Sequence, residues 1–325
     1  MSAIAKKPLK KAAENYSPTE APPVPLVLKA RVPQTLAGAR CDHALALLFP
    51  DYSRTRLATW LKDGLATIDS VCRAPKDKVW GGEAIVVRPQ PDPQARAFRA
   101  QDIAFPIVFE DEHIIVINKP PGLVVHPGSG NWDGTLLNAL LAHAPALAHL
   151  PRAGIVHRID KDTSGLLVVA KTLTAQTALV RALQAHDVTR EYIAVVHGVI
   201  EAEGTVDAPI GRHKTQRTRM AVAPGGKPAV THYHPIEYFT HVTVLRCQLE
   251  TGRTHQIRVH LAAIGHPIVG DPVYGGQRMQ PTFARQALHA ERLGLIHPVS
   301  GKPRAWKAPL PADMRKLLTT LRRES

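Results

Sequence analysis

The sequence predicts an α+β protein in which a largely antiparallel sheet is crossed by a few helices. Strand-like apolar runs dominate, and several come as close pairs, 103–109 with 113–119 and 229–239 with 242–250. Helical spacing is confined to a few segments, among them Leu136, Leu137, Leu140 and Leu141, then Ala175, Ala178, Leu179, Ala182 and Leu183. Between these helices lies a dense polar stretch, His157 to Ser164, bounded by Ile155-Val156 and Leu166-Leu167-Val168-Val169, apolar runs too short for helices.

In chain order, residues 1–28 carry Lys6, Lys7, Lys10 and Lys11, then Pro18, Pro22, Pro23 and Pro25, with few large apolar side chains, which predicts a disordered basic tail. Residues 29–88 form a small domain. Arg40 to Phe49 has helical apolar spacing, Ser53 caps a second helix from Arg54 to Leu61, and Gly64 stops it. Short strands follow at Ala66-Thr67-Ile68 and Ala84-Ile85-Val86-Val87. Residues 89–100 are a proline-spaced, extended linker, and a larger domain occupies 101–325. In it the acidic turn Glu110-Asp111-Glu112 separates the first two strands, and Asn118 to Gly128 reads as strand, tight turn and loop. Asp133-Gly134-Thr135 caps the Leu136 helix and Pro145 ends it; Thr174 caps the next. Arg190 to Gly198 is a strand, 211–220 a basic hairpin arm, and the segment after Glu250 a helix with Ile257, Leu261 and Ile264 facing the core. Arg258 then lies about 100° around that helix from Ile257, off the core stripe and able to meet Asp160.

The central loop holds the candidate chemistry. A carboxylate at Asp160, between Arg158 and Lys161, favours its charged form, and an ionised carboxylate can act as a nucleophile. The competing reading is a surface turn with local ion pairs. With 41 Lys and Arg against 27 Asp and Glu, the net charge of +14 draws the chain towards polyanions, nucleic acid first. No apolar run is long enough to span a membrane and the N-terminus lacks a secretory core, so the cytoplasm is expected. Cys41, Cys72 and Cys247 lack CxxC spacing, and His255 and His260 are five apart, so neither a disulfide framework nor a metal site is predicted.

His157-Arg158-Ile159-Asp160-Lys161-Asp162-Thr163-Ser164-Gly165-Leu166 closely resembles the catalytic motif of the RluA-type pseudouridine synthases. Asn118 to Gly128, Arg190 to Gly198, Glu250 to Leu261 and Gln286 to Ala290 are similar to other motifs of that family, in its order, over roughly 34–325. The resemblance implies the pseudouridine synthase fold, with a central cleft lined by Asp160, Tyr192 and Arg258. Asp160 is then the nucleophile, Tyr192 stacks on the uracil and assists proton transfer, and Arg258 pairs with the aspartate. Leu288 lies under the base, Arg158 fills the space that the flipped uridine leaves, and His157 stands beside them at the RNA-binding surface. Lys119 and His126 are second-line candidates supporting the floor, with a solvated lysine in a turn the stronger expectation.

The small domain resembles an S4 module, whose second helix faces RNA, which makes Arg54, Arg56 and Lys62 contact candidates; ordinary solvated helix charges are the alternative. Asp69-Ser70 stands where such modules usually carry an Asn-Gly turn. Arg212 and Arg217 of the hairpin arm are expected to reach phosphate. The implied reaction needs no cofactor and no metal. His126 to Asn131, Pro151 to Arg158 and Lys227 to Tyr233 narrow the resemblance towards large-subunit rRNA. The expected partner is thus an rRNA stem-loop within a pre-ribosomal particle, with no DNA and no membrane, and the protein a monomer. The rival is a non-catalytic rRNA-binding or ribosome-assembly factor using the same groove, with a metal-dependent nucleic-acid hydrolase a distant third.

Overall fold

The computed structural model describes residues 27–89, 97–128, 130–216, 219–275 and 280–324. Arg217, the expected tail up to residue 26 and residues 90–96 of the expected linker lie outside the described residues. The chain forms two compact units that divide between Pro91 and Asp92.

In the first unit, β1 (Leu28–Arg31) pairs with β3 (Ala84–Val87), which pairs with β2 (Ala66–Ile68), all antiparallel. Helices α1 (Cys41–Leu48) and α2 (Arg54–Lys62) pack Leu45, Leu57, Trp60 and Leu61 against Ile68 and Ile85. Ser53 caps α2 as expected, its Oγ accepting from the Arg56 N–H at 3.3 Å. After β2, Asp69 (φ 51°) and Ser70 (φ 65°) both take left-handed backbone, the geometry of a primed hairpin turn that Asn-Gly adopts more readily. Asp69 anchors the turn, its Oδ1 accepting from the Ala84 N–H at 2.8 Å.

The second unit is built on one large sheet. Its strands are β4 (Ile107–Glu110), β5 (Ile114–Lys119), β6 (Ser164–Ala170), β7 (Thr189–His197), β8 (Gly204–Asp207), β11 (Val230–Tyr238), β12 (Val242–Leu249), β13 (Leu288–Ile296) and β14 (Pro303–Lys307). The order is β4-β5-β6-β13-β7-β12-β11-β8, with β14 also on β13. Every neighbour is antiparallel except β6 and β13, which run parallel where Ser164 faces His289 and Gly165 faces Ala290. Strands β9 (Ile210–Arg212) and β10 (Met220–Val222) make a separate hairpin, the expected basic arm.

β13 joins the two halves of this sheet and was not anticipated, because Glu291, Arg292 and Gly294 interrupt its apolar positions. Its close approach to β6 depends on Gly165. A Cβ there would sit 2.2 Å from the Ala290 carbonyl oxygen, and the residue's φ of +115° disfavours any side chain. Alternate residues of β5 and β6 feed two cores: Ile115, Ile117, Leu167 and Val169 on one face, Ile114, Val116, Leu166 and Val168 on the other.

Four α-helices complete the unit among the described residues: α3 (Leu136–His143), α4 (Leu173–Gln184), α5 (Gln256–Ala263) and α6 (Ala312–Glu324). Thr135 and Asn138 form a capping box on α3. Three local expectations need correction. The cap of α4 is Thr172, not Thr174, its Oγ1 accepting from the Ala175 N–H at 3.2 Å. Ile257 and Leu261 are buried as expected, but Ile264 is the C-cap of α5 and is 37% exposed, because the helix ends one residue before it. The first strand starts at Ile107 rather than 103, Pro106 having no N–H for the ladder.

Candidate active site

Four anchors hold the loop between Ile155 and β6. The Thr163 N–H bonds the Asp160 carbonyl at 3.1 Å and closes its turn. Arg285 Nη1 donates to the Asp162 carbonyl at 2.9 Å, while its Nε and Nη2 grip Asp313 at the start of α6 at 2.7 and 3.1 Å. Lys119 Nζ donates to the carbonyls of Lys161 (2.8 Å), Pro120 (2.8 Å) and Leu123 (3.0 Å). The solvated turn lysine of the sequence reading is therefore wrong. Lys119 is fully buried, and three carbonyls take the place of water around its ammonium. Burial draws its pKa down to about 7, against the opposing pull of Asp162 and Asp160.

His157 is the fourth anchor. Its Nε2 accepts the Val168 N–H at 3.0 Å, which places any ring proton on Nδ1. Burial, helped by Arg190, pushes its pKa down to about 3, so the ring is neutral and ties the loop to β6. It lines the base recess described below, yet one ring nitrogen is already committed within the protein.

Asp160 and Arg258 meet as expected: Nη1 of the arginine donates to Asp160 Oδ2 at 2.9 Å. The rest of the guanidinium is held by Asp271, in the turn that follows α5. Arg258 Nε and Nη2 donate to both oxygens of Asp271 at 2.6 and 2.9 Å, and Asp271 Oδ1 also accepts the Val273 and Tyr274 N–H groups at 2.8 and 3.0 Å. Burial works against ionisation of Asp271, but the Arg258 bond and charge with these two N–H groups outweigh it and hold the carboxyl below its ordinary range. Burial likewise disfavours the Arg258 cation, and its two carboxylates more than restore it. The Tyr274 ring supports the arginine, with the guanidinium carbon 5.1 Å from its centroid. His255, in left-handed backbone just before α5, places Nδ1 2.8 Å from the Tyr274 hydroxyl and Nε2 3.9 Å from Asp160 Oδ1.

Asp160, Arg258 and His255 line a cleft of about 1090 Å³, which also includes Arg158, Arg190, Arg253 and His126. It shares Asp160, Arg258, Arg158 and Arg190 with an adjoining recess of about 70 Å³, whose lining adds Tyr192 and Leu288. Tyr192 and Leu288, from the adjacent central strands β7 and β13, give it apolar walls. Burial pushes the Tyr192 hydroxyl up to about 12, with Arg190 opposing and Asp160 adding, so it is a protonated donor at neutral pH. Arg158 is exposed at the rim.

The remaining candidates lie elsewhere. Arg212 is exposed on the β9–β10 hairpin. In the first unit Arg54 pairs with Asp42 at 2.9 Å, Arg56 lies 4.9 Å over the Trp60 ring, and Lys62 is exposed. Sequence reasoning missed Asp271, Arg285 and Arg190. Asp271 alone had a signal, an acidic residue in the Gly270-Asp271-Pro272 turn shortly after α5.

A family model described as RNA pseudouridylate synthase matches residues 113–263, which run from the start of β5 to the end of α5. A solved structure, human RNA Pseudouridylate Synthase Domain Containing 1, superposes with a TM-score of 0.53 at 27% identity, covering 69% of this chain and 96% of that one. This chain belongs to the RluA-type RNA pseudouridine synthases, enzymes that isomerise uridine to pseudouridine in RNA. Within the family it is 56% identical over 302 residues to ribosomal large subunit pseudouridine synthase D of Nitrosomonas europaea, spanning 91% of this chain and 88% of the relative. The protein of the same name from Escherichia coli O6:H1 is 56% identical over 308 residues, spanning 91% and 94%.

Proposed function

We propose that this enzyme forms pseudouridine in large-subunit ribosomal RNA, with Asp160 as its nucleophile. The observation that carries the reading is the Asp160 carboxylate lining both cleft and recess, 2.9 Å from a guanidinium that Asp271 also grips, with Tyr192 and Leu288 lining the same recess. The large-subunit substrate is taken from the relatives named synthase D.

The target uridine leaves its stack, at a cost of a few kcal/mol, and its base enters the recess. Arg158 at the rim fills the vacated space. The C1′–N1 bond breaks, the uracil turns, and a C1′–C5 bond forms; N1 takes up a proton and C5 releases one. Three entries are open to the Asp160 carboxylate: attack at C1′, attack at C6, or removal of the C2′ proton. Each needs the carboxylate aimed and unobstructed, which is the part played by Arg258 and Asp271. Tyr192, protonated at rest, stacks on the uracil and can donate its hydroxyl proton; it serves as acceptor only after giving that proton up.

The first unit is read as an S4-like RNA-binding module that uses Arg54, Arg56 and Lys62 on α2, and Arg212 adds phosphate affinity from the hairpin. The substrate is a stem-loop of a pre-ribosomal particle in the cytoplasm, where an unpaired uridine is cheapest to extrude. Pseudouridine maps of large-subunit rRNA from cells with and without this protein test the reading. Loss of specific sites in one stem-loop is expected, and identical maps would contradict it.

A further inference from the structure

Arg190 is a buried cation that none of the roles above employs. It is 7% exposed, and its one hydrogen bond among the described residues runs from Nη2 to the Glu250 carbonyl at 2.8 Å. Among the described residues its Nε is buried with no partner, and it forms no ion pair with any carboxylate. An unpaired buried guanidinium is costly, so an anion that completes it gains correspondingly on arrival. Glu191 offers no such anion, since it points to the other face of β7 and faces Arg246 and Arg292 at 3.8 and 3.9 Å.

Its position says what that anion is. Arg190 stands two residues before Tyr192 on the same face of β7, and unlike Tyr192 it lines both the base recess and the wider cleft. It therefore occupies the threshold between the space for a base and the space for the RNA backbone. Gly252 keeps that threshold clear, since a Cβ there would come within 2.8 Å of Arg190 Nη1. Arg253 and Arg158 line the same boundary and reinforce its positive field. No group in the recess competes as a countercharge, because Arg258 already claims Asp160.

We propose that Arg190 binds a phosphate flanking the flipped-out uridine, so that the nucleotide is gripped at its backbone while its base lies against Tyr192. The inference rests on the reading of the recess as the uridine site. A guanidinium can hold two phosphate oxygens at once, which fixes the ribose position as well as adding affinity.

The test removes the charge from either side of the contact. Stem-loop RNAs carry an uncharged methylphosphonate at the phosphate 5′ or 3′ to the target uridine, and kcat/KM is measured for wild type, R190Q and R190K. In wild type, one of the two replacements is expected to lower kcat/KM by about tenfold or more, the scale of a lost charge-assisted hydrogen bond. In R190Q the same replacement is expected to cost less than about twofold, because the two partners are coupled. R190K keeps the charge but not the fork, and should fall between them. Equal losses in wild type and R190Q would overturn the proposal. Should R190Q fail to fold, R190K decides: sensitivity below wild type supports the contact, and undiminished sensitivity overturns it. The underlying reading fails separately, if Asp160→Asn still converts the unmodified stem-loop.

Discussion

In the Asp160–Arg258–Asp271 group, charge is largely buried and mutually paired, whereas along α2 it is exposed. The Arg258 side chain is 5% exposed and divides itself between Asp160 and a wholly buried Asp271. On α2, Arg54 pairs with Asp42 while its own side chain stays 49% exposed, Arg56 rests over Trp60, and Lys62 faces solvent. Both regions are basic in sequence, yet burial gives the same residue type different work. A buried, multiply bonded arginine fixes geometry, and its removal leaves a carboxylate unpaired. An exposed one is screened, replaceable, and suited to a phosphate backbone.

That contrast can be broken in order of expected effect. Arg258→Ala should lower kcat by roughly 10³-fold while changing RNA affinity less than about threefold, read by single-turnover kinetics and filter binding. Equal losses would make Arg258 a phosphate contact like those proposed on α2. Asp271→Asn should lower kcat by roughly 10²-fold and destabilise the protein by about 3 kcal/mol, since the guanidinium loses its buried charge partner. The two losses should not add in the double variant, because both act on the aim of one carboxylate.

The pH dependence of stability follows from His157, neutral in the folded chain with a pKa near 3 against an ordinary 6.5. Between these values the unfolded chain binds the extra proton, so this contribution is fully present above about pH 6.5 and is lost as pH falls towards 3. His197, His260 and His289, lowered chiefly by burial, push in the same direction. Thermal unfolding scanned from pH 7 to 4 should show a falling Tm, with a shallower slope in His157→Asn; an unchanged slope would relieve His157 of this role. The smallest effects belong to α2. Arg54→Gln, Arg56→Gln and Lys62→Gln should each weaken RNA binding by about threefold and reduce the salt slope by about 1 where a phosphate contact is lost, with kcat intact.

Much of this was legible in the sequence where local pattern decides structure. β2, β3, β5 and β7 announced themselves as apolar or alternating runs bounded by turn residues, and Ser53 announced α2. The motif around Asp160 and its distant partner Arg258 were legible through the family resemblance, and the 2.9 Å bond between them joins residues 98 apart in the chain. What stayed hidden depends on contacts without a local signature. β13 is a strand because β6 and β7 flank it, despite its interrupted pattern. Lys119 resembles any turn lysine until the Asp160 loop folds over it. Asp271 looks like a turn acid, and only the packing of α5 brings its two oxygens to one edge of a guanidinium.

The most direct test of the central assignment is tritium release from RNA labelled at C5 of uridine, measured in a single turnover with wild type and Asp160→Asn. The replacement keeps size and most hydrogen bonding while removing the nucleophilic oxygen anion. Release by wild type and a fall of roughly 10⁴-fold or more in the variant, with RNA binding retained, is the expected result. Release at a comparable rate in both would show that the carboxylate beside Arg258 does not carry the reaction.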